Sequence, residues 1–189
     1  MEFLKHIDQE LFLFLNGIHS SFWDAIMYWV SYKFTWIPLY LGTLGYFIYK
    51  QKTKSILTIV FVVAAIVLSD QISVHLFKNI FLRYRPCHNL EIQNMVHILH
   101  NHCGGQYGFV SSHAANVFAF GVLSALIIQN RKVSFVLFTW ATIVSYSRIY
   151  LGVHYPADIL GGAILGTIIA IILFLLYQYI FRKYLYHKN

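Results

Sequence analysis

The sequence predicts an all-α integral membrane protein. It is a bundle of five transmembrane helices, with a sixth left open near residues 10–30, preceded by an amphipathic helix at the membrane interface. Hydrophobic residues make up 58% of the 189, and mean hydropathy is +0.60, values outside the range of soluble domains. Only 11% of residues are charged. They gather between the apolar stretches, as expected when a charge at the bilayer centre costs several kcal/mol. The whole of 1–189 is taken as one domain.

The first segment, MEFLKHIDQELFLFLNG, carries acids early and only a short, interrupted apolar core, so it is read as mature protein rather than a cleaved signal. Leu4, Leu11, Phe12, Leu15 and Ile18 recur at helical spacing. They predict a helix over residues 3–17, either along the interface or packed on the bundle, within an interfacial segment 1–33. Spans follow at 34–49, which is short and contains Pro38, then 56–76, 109–128, 133–150 and 159–180. Most match the ~20 residues needed to cross ~30 Å of hydrocarbon.

With five crossings, Lys50, Lys52, Lys54, Arg131, Lys132, Arg182, Lys183 and Lys188 fall on one side, without an acid among them. The positive-inside rule makes that side cytoplasmic, which places the C-terminus inside and the N-terminal helix outside. The net charge of +7 is thereby mainly topological. No nucleic-acid motif accompanies it, and no nucleic-acid partner is expected. The other side holds Lys5, Lys33, Lys78, Arg83, Arg85 and Arg148. Four of these sit in two short stretches beside span ends, where a topology rule gives no reason for them.

Three stretches meet on the outer face: KNIFLRYRP (78–86), VSSHAAN (110–116) and SRIYLGVHYPAD (147–158). They offer three cations (Lys78, Arg85, Arg148), two imidazoles (His113, His154) and one carboxylate (Asp158). A transferring phosphoryl group spreads negative charge over three oxygens, so fixed cations with a nucleophile and a proton donor form a sufficient catalyst. Ser111 stands where it would N-cap the third span, whose free N–H groups favour an anion. Pro156 suits the first turn of the last helix. That puts Asp158 four residues beyond His154, within reach of one ring nitrogen, leaving the other as nucleophile.

These residues resemble the type 2 phosphatidic acid phosphatases, whose signature is K-x6-R-P, P-S-G-H and S-R-x5-H-x3-D. Lys78 through Arg85-Pro86 fits the first part. Ser147-Arg148 through His154 to Asp158 fits the third. In the middle part Val110 replaces the proline and Ser112 the glycine, while Ser111 and His113 remain. The likeness covers residues 54–180. It implies that His154 attacks phosphorus, oriented by Asp158, and that His113 protonates the leaving oxygen and later activates water. Lys78, Arg85 and Arg148 would hold the phosphate, helped by Ser111 and the backbone N–H of Ser112.

The expected activity is hydrolysis of a lipid phosphomonoester or pyrophosphate at the outer leaflet of a bacterial-type cytoplasmic membrane. Undecaprenyl pyrophosphate, phosphatidylglycerol phosphate, phosphatidic acid and lipid A phosphates are the candidate substrates. A vanadate-dependent haloperoxidase uses similar residues, but its relatives are soluble. A non-enzymatic head-group binder or transporter is the other alternative. The sequence does not address oligomeric state.

Residues 87–108 contain both cysteines and four histidines. In an oxidising compartment Cys87 and Cys103 would pair across the loop. His97, His100, His102 and Cys103 do not have standard zinc spacing, and neither a metal nor a cofactor is expected for the chemistry. Ile92, Met95, Val96 and Leu99 instead predict a short amphipathic helix against the mouth of the site.

Overall fold

The structure, a computed structural model, describes residues 2–100 and 102–186. Lys188, assigned above to the cytoplasmic side, lies outside them. Its helices are α1 (Glu2–Gly17), α2 (Ser21–Ser31), α3 (Ile37–Gln51), α4 (Ser55–Ile72), α5 (Asn79–Phe81), α6 (Ser112–Ile128), α7 (Arg131–Tyr150) and α8 (Pro156–Ile180). No strand is formed among the described residues. The bundle is made by α3, α4, α6, α7 and α8, which correspond to the five apolar segments.

Local chemistry sets the boundaries. Pro38 lies in the first turn of α3, where its missing N–H costs nothing. Gln129 ends α6 in a left-handed conformation (φ 54°), and the Asn130 side chain then accepts the N–H groups of Lys132 and Val133 to start α7. The third apolar segment becomes helical only at Ser112. Ser111 caps it, and the preceding residues form part of the site.

Helix α1 has 16 residues and α2 has 11, and the chain leaves the helical conformation between Gly17 and Ser21, so the segment near 10–30 is two separate helices and not one continuous span. The apolar residues of α1 divide between two faces. Phe12 is fully buried in a cluster with Ile92, Ile149 and Tyr155, whereas Leu4 and Leu11 are exposed. Asn16, 1% exposed, donates to the carbonyls of His97, Ile149 and Tyr150. Helix α1 thus packs across the C-terminal end of α7 and the N-terminal end of α8 and leaves an apolar face exposed.

The loop between α5 and α6 departs from expectation. No amphipathic helix forms over Ile92, Met95, Val96 and Leu99. There is a single 3-10 turn, Gln93–Met95. Ile92 is buried, but Met95 is 62% exposed. The loop is held by contacts made from outside it, from Phe12, Asn16 and Tyr155, so it needs no helical hydrogen bonding of its own.

The tightest packing joins α6 to α8. Gly162 and Gly166 of α8 lie on the backbone of α6, where an added Cβ would come 2.4 Å from the Ser111 carbonyl and 2.2 Å from the Ala115 carbonyl. Opposite them, Ala114, Ala115 and Ala119 are fully buried. Small residues at four-residue spacing let helix backbones approach closely in lipid, where hydrophobic burial between helices adds little. This contact fixes the start of α6 beside the start of α8. Gly166→Ala is expected to destabilise the protein by ~1–3 kcal/mol through overpacking. The control Gly45→Ala, with nothing near its Cβ, should be neutral or slightly stabilising. Thermal unfolding in detergent compares the two, and equal midpoints would refute the close approach.

Candidate active site

Beyond Ile72, α4 widens into a π-helical stretch, Ser73–Lys78, a deviation that redirects the side chains beyond it. Lys78 lies at its end, and its Nζ donates to the Ser112 hydroxyl at 2.7 Å. The same hydroxyl is 2.7 Å from Ser73 Oγ. The side chain that replaces the expected glycine is therefore occupied in holding Lys78. Leu82, in a left-handed conformation, ends α5 and leads into an extended segment carrying Arg83 and Arg85.

That segment runs antiparallel to the loop's return limb. Arg85 N–H donates to Gln106 O at 3.1 Å, and Gly108 N–H to Arg83 O at 2.8 Å. The Arg85 side chain is buried and donates to the carbonyls of Tyr107 (3.2 Å) and Cys103 (2.8 Å). Cys87 and Cys103 are joined in a disulfide with a Cα–Cα distance of 6.0 Å, which ties the two limbs together next to Arg85.

His154 is presented by the tight turn between α7 and α8. The Arg148 carbonyl accepts the N–H groups of Val153 and His154. Gly152 adopts φ +74°, and a Cβ there would lie 2.5 Å from the His97 carbonyl, so the turn needs glycine for both conformation and space. Tyr155 is the N-cap residue of α8, Pro156 occupies the first turn, and the Asp158 carboxylate reaches back to accept the Tyr155 N–H.

Asp158 is fully buried. Its Oδ2 accepts the Tyr155 N–H at 3.0 Å and faces His154 Nδ1 at 3.3 Å, while Oδ1 accepts Arg83 Nη1 at 3.0 Å. Its backbone carbonyl accepts the Ser111 N–H at 3.0 Å. Ser111 Oγ in turn accepts the Ala114 N–H, which fulfils its capping position at the end of α6. Burial, followed by the charges of Arg85, Arg148 and Lys78, holds the His154 imidazole well below its ordinary pKa. That shift favours the uncharged ring at neutral pH, and Nδ1 faces the carboxylate.

His113 is the second residue of α6 and is partly buried. Lys78, Arg85, Arg148 and His154 all act electrostatically on it, so the predicted groups converge on one region. Arg148 donates through Nη1 to the Ser31 hydroxyl. Its Nε is buried with no hydrogen-bond partner, a donor available to an anion. Three cations around a neutral imidazole suit a phosphate group.

Two participants escaped the sequence reading. Arg83 was counted only as an outer-face cation, yet it joins Asp158 to Asp8 of α1 (Nη2 to Oδ2, 2.6 Å) and lies 4.1 Å over the Tyr155 ring. Asp8 also accepts the Ala157 N–H at 2.9 Å, and so serves the first turn of α8 from a distant part of the chain. The pairing of a positively charged side chain with an acid beside a span end was the available signal for Arg83. Nothing local marked Asp8.

Residues 56–182 match the PAP2 superfamily. The lipid A 4'-phosphatase of Porphyromonas gingivalis is 33% identical over 193 residues, covering 100% of this chain and 78% of that protein. The protein of the same name from Bacteroides thetaiotaomicron is 38% identical over 168 residues, covering 88% and 75%. Among solved structures, the transmembrane PAP2 type phosphatidylglycerolphosphate phosphatase from Bacillus subtilis has the same fold, with a TM-score of 0.69 at 20% identity over 97% of this chain and 89% of the other. The chain belongs to the PAP2 superfamily, as a membrane lipid phosphatase.

Proposed function

We propose that the protein removes the 4'-phosphate monoester of a lipid A-type glycolipid, through a phosphohistidine on His154, at the outer face of the cytoplasmic membrane. The observation that carries the chemistry is the buried pair of His154 and Asp158 with Lys78, Arg85 and Arg148 around it. Likeness along nearly the whole chain to two lipid A 4'-phosphatases supports the substrate. The side assignment rests on charge. Thr58 is bonded to Tyr177, and Lys54 lies over the Phe181 ring, so the lysines of the α3–α4 turn share one end with the basic C-terminal residues, opposite His154.

In the first step Nε2 of His154 attacks phosphorus and the bond from phosphorus to the lipid oxygen breaks, with His113 supplying a proton to that oxygen. Asp158 stabilises the positive charge that develops on the imidazole. In the second step His113 takes a proton from water, the water oxygen bonds to phosphorus, and the P–N bond breaks to return neutral His154. Lys78, Arg85, Arg148 and the N–H groups at the start of α6 neutralise the phosphoryl oxygens throughout. These fixed cations do the work that a metal ion does in other phosphatases.

Phosphate release by the purified protein in detergent, measured on lipid A, undecaprenyl pyrophosphate, phosphatidylglycerol phosphate and phosphatidic acid, tests the substrate. Lipid A is expected to have the highest kcat/KM, with the 4'-phosphate lost. A higher value for any of the other three would overturn the assignment.

The two histidines have unequal roles. His154→Ala should abolish turnover and phosphoenzyme with every substrate. His113→Ala should slow the phosphoenzyme burst by ~10²–10⁴-fold with a lipid alkoxide leaving group. It should slow it less with an aryl phosphate, whose leaving oxygen needs little protonation. Rapid-quench kinetics separate these cases, and equal burst defects in both variants with both leaving groups would contradict the roles.

Arg83 is a positioning residue in this scheme, because it reaches Asp158 rather than the phosphate. Arg83→Ala is expected to lower kcat by ~10–100-fold, the range for outer-shell partners of an active group, with KM little changed. Asp8→Asn keeps an acceptor for the Ala157 N–H and should cost less. A wild-type kcat in folded Arg83→Ala, or an effect confined to KM, would remove Arg83 from the scheme.

A further inference from the structure

Beside the catalytic turn, three side chains with metal-ligating atoms arrive from three separate parts of the chain. His19 comes from the connection between α1 and α2, Asp24 from the first turn of α2, and His97 from the loop that lies over Gly152. Their ligand atoms all lie within 4.8 Å of one another. We propose that His19, Asp24 and His97 bind a divalent ion of the zinc class, as a structural staple and not as part of the phosphatase chemistry.

The spacing is close to what such an ion needs. Two ligands each ~2.0–2.1 Å from a tetrahedral zinc stand roughly 3.3 Å apart. His97 Nε2 and Asp24 Oδ1 are already 2.9 Å apart. The His19 ring lies parallel to that of His97, with centroids 3.7 Å apart. His19 is exposed and belongs to no helix, so turning its side chain to bring a nitrogen to the third corner gives up only the ring stack on His97. His97 and Asp24 retain 20% and 22% side-chain exposure, which leaves room for water as a fourth ligand. Two imidazoles and one carboxylate favour zinc-like ions over calcium or magnesium, which prefer all-oxygen sites.

An outer shell is also in place. The Tyr150 hydroxyl donates to Asp24 Oδ1 at 2.7 Å and orients the carboxylate. Asn16 brackets the His97 backbone, accepting its N–H at 2.8 Å and donating to its carbonyl at 3.1 Å. Groups that orient ligands in this way are a regular part of metal sites. Cys87 and Cys103 are taken up by the disulfide, and the His100 ring packs edge-on against Tyr28.

The ion's role follows from its position. The His97 carbonyl rests on Gly152, two residues before His154. Zinc bound here would fasten the α1–α2 connection and the outer loop to the turn that presents the nucleophile.

Untagged protein in detergent, stripped with chelator and then dialysed against micromolar zinc, should retain a single zinc ion per chain by elemental mass spectrometry and melt at a higher temperature than the stripped form. His19→Ala and His97→Ala should each weaken zinc binding by more than the ~10–100-fold typical of outer-shell changes. Both variants are expected to fold, since His19 is exposed and Asn16 holds the His97 backbone. Wild-type protein that retains no zinc would leave only a hydrogen-bonded histidine–aspartate pair and overturn the proposal. Zinc binding that survives either substitution would overturn it equally. Neither result bears on the phosphatase assignment, which uses no metal.

Discussion

A carboxylate without any exposure to solvent, Asp158, governs the end of the molecule where α6 and α8 begin. An isolated buried charge is prohibitively costly, so each oxygen of Asp158 has to be satisfied from within the protein. The Tyr155 N–H and His154 meet one oxygen and Arg83 the other. Each of these bonds has a structural consequence. The first caps α8, the second orients the imidazole, and the third brings in the segment that also carries Arg85. The residue's own backbone carbonyl then receives Ser111 and ties the start of α6 to the start of α8. One buried acid thereby brings all three sequence motifs into register.

The close approach of α6 and α8 makes that arrangement durable. Gly162 and Gly166 against Ala115 and Ala119 place two helix starts side by side. In lipid this contact depends on packing and not on water exclusion, so the small side chains carry the information. The unpaired N–H groups at the beginning of α6 are thus held near the His154 turn. An anion bound there would meet oriented backbone dipoles in addition to three cations.

Much of this was legible in the sequence, for a reason that differs from one feature to the next. The apolar helices of the bundle are visible because a bilayer imposes length and composition on a span locally. The pairing of His154 with Asp158 is visible because it lies within one helical turn and Pro156 sets where that turn begins. Ser111 is visible as a cap by the same local logic. The helix expected over Ile92 to Leu99 failed because burial of Ile92 depends on Phe12 and Tyr155, which lie far away in sequence. Asn16 and Asp8 were hidden for the same reason. Their polar atoms are used by backbone groups more than 80 residues distant, and no periodicity records such a bond.

Ser112 is the case where the sequence raised a question that only packing could answer. The family signature has glycine at this position. The Ser112 hydroxyl lies between Ser73 Oγ and Lys78 Nζ, on the side of the widened turn of α4. Lys78 is a long, flexible cation, and holding it in one place costs rotamer entropy of up to ~2 kcal/mol. A hydroxyl anchored by a second serine holds the ammonium before substrate arrives, so that less ordering remains to be done on binding. In the proposed chemistry Lys78 shares its donors between this hydroxyl and a phosphate, and an ammonium with three of them can do both. The added serine therefore positions the cation that opens the first motif.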